Sequence, residues 1–130
     1  MEIMNQRVHK RYLVCDGVFV LLNPANSSSK LGTMIDISKS GLSFQYIDTK
    51  DSEQTYSELD IFVSGHGIKI GDLPFTVISS VAYEKTIPFY SIMIRRLGVK
   101  FGPMTDTKIS QIYSFIHNHG IHEVLPDSLA

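Results

Sequence analysis

The feature that most constrains this chain is a recurrence of short β-branched and aromatic segments, each cut off by glycine, proline, asparagine or aspartate. Such segments fall at residues 12–22, 32–37, 42–47, 59–64, 68–70, 75–83 and 92–101. Between them lie Asn23-Pro24 and a serine run, the polar stretch 48–57, Gly65-His66-Gly67, Gly71-Asp72 and Thr86-Ile87-Pro88. β-Branched and aromatic side chains pack well on a pleated surface, whereas glycine and proline punctuate it. In 42–47 the two-residue period is explicit, with Leu42, Phe44 and Tyr46 on one face and Ser43 and Gln45 on the other. Residues 12–22 are long for one strand and contain Gly17, which predicts a single bent strand. Many short strands at this spacing predict an antiparallel barrel or sandwich.

One helix is expected after the last strand. Thr105 is placed to cap it, Asp106 in its first turn suits the positive end of the helix dipole, and Ile109, Ile112, Tyr113 and Ile116 form one apolar stripe. Gly120 is expected to stop it, and residues 120–130, with Pro126, read as a frayed or partner-dependent tail. The chain therefore reads as one domain over 1–130: an N-terminal arm at 1–11, a barrel at 12–104, a helix at 105–119 and a tail at 120–130.

Composition excludes several functions. With 130 residues, 43% of them hydrophobic, the chain can bury one core, and no apolar run approaches the ~18–20 residues of a membrane-spanning helix. The formal net charge of −1 argues against a nucleic-acid polymer or an anionic lipid surface as partner, so any anion site must be local. Arg7, Lys10 and Arg11 supply such a cluster. Cys15 is the single cysteine, which removes internal disulfides and fits a small core residue in a reducing, cytoplasmic setting. His117, His119 and His122 are poorly spaced for a metal site and read as surface histidines near a helix end, so no metal and no cofactor are expected. Gly65-His66-Gly67 lacks the Gly-Lys-Ser/Thr ending and adjoining helix of a phosphate loop. No nucleophile elbow or paired-carboxylate motif is visible, and no catalytic residue is assigned.

Two short motifs carry the functional signal. Arg7-Val8-His9-Lys10-Arg11 reads R-x-x-x-R, and Asp36-Ile37-Ser38-Lys39-Ser40-Gly41 reads D-x-S-x-x-G after a gap sized for a strand and a turn. Arginine forks can grip phosphates bidentately, address the O6 and N7 acceptors of guanine, and stack on purines. A carboxylate such as Asp36 can accept from guanine N1 and N2, Ser38 can give or take a bond, and Gly41 can turn the backbone at positive φ beside a ligand.

Together the motifs resemble the PilZ domains that bind the bacterial second messenger cyclic di-GMP. Gly98-Val99-Lys100-Phe101 is similar to the G-V-x-F of the last PilZ barrel strand, which extends the resemblance over about residues 4–118. The resemblance implies a mainly β fold, a six- to seven-stranded antiparallel split β-barrel with a C-terminal α-helix. It also implies a cyclic di-GMP site at Arg7, Arg11, Asp36, Ser38 and Gly41, with Lys10, Gln6 and Ser40 as further contacts. Occupancy would be passed to a protein partner that controls motility, exopolysaccharide, virulence or attachment. Two other classes are a PilZ-like adaptor that binds no nucleotide and a small-barrel enzyme. The intact motifs weigh against the first and the missing catalytic constellation against the second.

Overall fold

Eight antiparallel strands and one helix make up the described part of this computed structural model, which comprises residues 9–22, 30–48 and 57–124. The strands are β1 (Arg11–Val14), β2 (Val18–Leu22), β3 (Lys30–Ile37), β4 (Gly41–Ile47), β5 (Glu58–Val63), β6 (Gly67–Ile87), β7 (Tyr90–Phe101) and β8 (Gly120–Val124). The order β2-β5-β6-β7-β4-β3 closes through a β2–β3 pairing into an uneven ring of six strands, while β1 and β8 extend the sheet beyond β3. The expected mainly β fold with one C-terminal helix is the one observed. Inside the ring, Phe44, Leu22, Ile37, Leu59, Ile61, Ile70 and Leu73 are almost fully buried. Each such side chain contributes about 1.5–3 kcal/mol relative to exposure.

The bent strand expected at 12–22 is two strands. β1 and β2 lie along the same edge of β3, but the six steps from Leu13 to Phe19 run against three from Asp36 to Thr33, so three residues must loop out. Gly17, at φ 90°, provides the turn. The reverse holds at Gly71-Asp72, where an expected turn is a kink inside the 21-residue β6. Asp72 sits at φ 53°, and its N–H donates to the buried Asp60 carboxylate at 2.8 Å, so a satisfied hydrogen bond holds the strand on course. Beyond Phe75, β6 and β7 continue as a ribbon to a two-residue loop, Pro88-Phe89. Phe89 takes φ 76° with its side chain fully exposed, the second-residue geometry of a type II turn, where glycine is favoured.

The helix α1 (Asp106–His119) starts where expected: the Thr105 hydroxyl accepts from the Lys108 N–H at 3.2 Å. Its buried residues are Ile112 and Phe115, with Ile116 packed alongside. Tyr113, expected in the stripe, is instead exposed, with the Lys39 ammonium 4.4 Å from its ring centre. Lys108 Nζ donates to the Gly71 carbonyl at 2.5 Å and pins the helix to the kink in β6. Beyond α1 the chain does not fray at once. Residues Gly120–Val124 form β8 on β1, and residues 125–130 of the expected tail lie outside the described residues. Cys15 is half-buried against the core, as expected. No helix among the described residues is long and apolar enough to cross a membrane.

Candidate functional site

The site is built where β1 and the β3–β4 hairpin meet. Tyr12 pairs with Ile37 and Leu13 with Asp36, so the first strand delivers Arg11 next to the D-x-S-x-x-G segment. A register shift between Met34 and Asp36 turns Asp36 to the outer face of the sheet while Met34 and Ile37 stay in the core. A bulge of this kind re-aims one side chain without changing the sequence period on either side.

Arg11 grips Asp36 with both limbs of its fork. Nη2 donates to Oδ2 at 2.5 Å and Nε to Oδ1 at 3.3 Å, and the Ser43 hydroxyl donates to Oδ1 at 2.9 Å. The Asp36 side chain is only 4% exposed and that of Arg11 25%. A carboxylate withdrawn from water needs hydrogen-bond donors in its place, and three of them satisfy it. Asp36 therefore faces Arg11 and Ser43 rather than solvent. Of the five N–H donors of Arg11, two serve this contact, and the others have no side-chain partner among the described residues and are of the kind that suits an anion.

Ser38 closes the turn. Its N–H donates to the Gly41 carbonyl at 2.8 Å, and its hydroxyl accepts from the N–H groups of Ser40 and Gly41 at 3.1 and 3.2 Å. The same hydroxyl lies 3.2 Å from that of Ser40. Side-chain closure of this sort substitutes for a backbone turn and is a known use of serine. Gly41 is needed for a different reason than expected. It is not among the positive-φ glycines, which in the described residues are Gly17, Gly65 and Gly67. A Cβ there would instead collide with the Val99 carbonyl oxygen, because β4 runs tight against β7 at that point.

Of the expected site residues, Arg11, Asp36, Ser38, Ser40 and Gly41 come together at this corner. Arg7 and Gln6 lie outside the described residues. Lys10 is exposed and sits 3.8 Å from Glu123 of β8, the strand that flanks β1. Ser43 was not anticipated as part of the site. Its signal was present in the pleat, since it pairs with Asp36 across the hairpin and lies on the non-core face of β4.

No family model matches the sequence, and no curated protein matches it. Solved structures do. The PilZ domain of YcgR from Escherichia coli, with cyclic di-GMP, aligns at a TM-score of 0.68 and 16% identity over 88% of this chain and 91% of that one. YcgR from Escherichia coli in complex with cyclic di-GMP aligns at 0.58 and 17% identity over 88% of this chain and 46% of that one. The MrkH–cyclic di-GMP complex of K. pneumonia aligns at 0.65 and 13% identity, over 89% and 53%. The chain spans nearly all of the first of these chains and about half of the other two. The fold is PilZ-like.

Proposed function

We propose that this PilZ-fold chain is a cytoplasmic, non-enzymatic sensor that binds cyclic di-GMP at the Arg11–Asp36 corner and passes its occupancy to a protein partner. One observation carries the reading: Arg11 of the first motif meets the second, distant motif in space, its fork locked onto Asp36 beside the Ser38-closed turn. Arg11, joined by Arg7 of the same motif, takes the phosphates. Asp36 acts through Arg11, fixing the guanidinium so that its remaining donors are already aimed; pre-organisation of this kind lowers the entropy lost on binding. Ser38 and Gly41 hold the turn that carries Asp36, and Ser40 and Lys10 flank it.

The test is calorimetric titration with cyclic di-GMP. Wild type should bind, and Arg11→Lys, which keeps the charge but loses the fork, should weaken binding roughly 10- to 100-fold, the worth of a charge-assisted bond of about 1.5–3 kcal/mol. No heat from the wild type would leave a PilZ-like adaptor that works through protein contacts alone.

A further inference from the structure

Asp36 was the residue expected to recognise guanine, and its carboxylate is already engaged by Arg11 and Ser43. If the corner holds a guanine dinucleotide, some other group must tell guanine from adenine. The outer face of the sheet supplies one. Residues directly opposite each other in antiparallel strands share a face, so Asp36, Ser43, Gly98 and Ser79 form one row across β3, β4, β7 and β6. The next row on the same face contains Gln45 and Arg96.

The first row is a shelf. Ser43 is buried, Ser79 is short and exposed, and Gly98 between them has no side chain; the Ser79 hydroxyl lies over it, 2.5 Å from where a Cβ would stand. With only a serine hydroxyl above the backbone, a flat ring can approach the sheet closely there. Arg96 stands beside this shelf, at roughly 12 Å from Asp36 by strand spacing: two inter-strand steps of ~4.8 Å and one two-residue step of ~6.8 Å. Its side chain is exposed and, among the described residues, makes no hydrogen bond and no ion pair. The other two arginines of the described residues are committed, Arg11 to Asp36 and Arg95 to Asp48 and Ser80.

We infer that Arg96 is the specificity-determining residue of the site, its fork, unpaired among the described residues, taking the O6 and N7 acceptors of a guanine laid on the Gly98–Ser79 shelf. Guanine offers two adjacent acceptors to a fork, whereas adenine places its N6 donor against one limb. This inference rests on the proposed function and deepens it.

Wild type, Arg96→Ala, Arg96→Lys and Arg11→Lys are titrated with cyclic di-GMP and with cyclic di-AMP, and each melting temperature is recorded. Arg96→Ala should lose roughly 10- to 100-fold in cyclic di-GMP affinity. Its weak affinity for cyclic di-AMP should stay unchanged, so discrimination between the two collapses. Arg96→Lys should not rescue it, and neither variant should melt differently from wild type, since the Arg96 side chain supports no other described residue. Wild-type affinity in Arg96→Ala alongside a loss in Arg11→Lys overturns the role of Arg96 and leaves the nucleotide site standing. Equal losses for both dinucleotides, or full rescue by lysine, would make Arg96 a phosphate contact and also overturn it. If wild type binds neither dinucleotide, the proposed function fails and this inference with it.

Discussion

Arg11 and Asp36 are bound to each other closely enough that neither can be removed without cost to the other. Truncating Arg11 to alanine takes the charged donor from a carboxylate that is 4% exposed in the intact protein, leaving Ser43 as its side-chain partner among the described residues. A buried acceptor stripped of a charged donor costs about 1–3 kcal/mol. We therefore expect Arg11→Ala to lower stability by about 2 kcal/mol in urea unfolding as well as weakening cyclic di-GMP binding. That combination separates it from Arg96→Ala, which should affect binding alone. Gly41 gives a sharper test, because its requirement is steric rather than conformational. Gly41→Ala drives a methyl group into the Val99 carbonyl, and prising β4 from β7 should cost about 3 kcal/mol, the upper end of what overpacking usually costs. If urea unfolding of Gly41→Ala matched wild type, the tight β4–β7 approach would not be the reason for this glycine.

Two elements carry features with a defined sign. The β6–β7 ribbon ends in a loop whose second residue, Phe89, holds φ 76° and makes little contact with the protein. Glycine adopts that conformation without strain, so Phe89→Gly should raise stability by about 1 kcal/mol, readable as a higher melting temperature. In the last turn of α1, His119 stacks on Phe115 with ring centres 4.6 Å apart. Burial, then the nearby Lys69 and His66 charges, pull its pKa below the usual 6.5. These effects outweigh the favourable helix dipole expected for a histidine in the last turn. The folded state thus holds this proton less well than the unfolded chain does. Stability contributed by neutral His119 is fully present above about pH 6.5 and is lost as pH falls toward the lower folded pKa, below which the loss levels off. Melting curves between about pH 7.5 and 5.5 should show this decline, and His119→Gln should flatten it.

At the scale of the whole molecule, the site and the α1–β8 segment are one structure. β1 carries Arg11 and is hydrogen-bonded to β8, which continues directly from α1, while Lys39 of the site turn lies over Tyr113 of that helix. A ligand that tightens the Arg11–Asp36 corner should therefore slow amide exchange in Gly120–Val124 as well as in the turn at 38–41. Exchange in β8 that ignores saturating cyclic di-GMP would remove this route to a partner. Saturation should also stabilise the fold globally, by about 2.7 kcal/mol at roughly 100 times the dissociation constant. A thermal shift of that size with cyclic di-GMP, absent with cyclic di-AMP, is the expected result.

Local chemistry explains how much of this molecule the sequence determined by itself. The strand periods, the Thr105 cap, the Ser38 turn and the pairing of the two motifs were all legible, because each depends on residues close together or on a recurrent pattern. The elements that depart from expectation are the ones in which distant backbone decides. Gly71-Asp72 has the composition of a turn, yet the Asp60 carboxylate holds it in a continuous strand. Residues 120–124 have no pattern of their own and become a strand because β1 offers an unpaired edge. Tyr113 fits the helical stripe, but the helix docks with Phe115 rather than Tyr113 buried. The site divides along the same line. That Arg11 and Asp36 belong together was readable from the motifs. That Asp36 is spent on holding Arg11, that Ser43 shares the work, and that Arg96 stands beside Gly98 and Ser79 with no side-chain partner among the described residues all depend on which residues face one another across four strands, and strand register is a property only the folded sheet possesses.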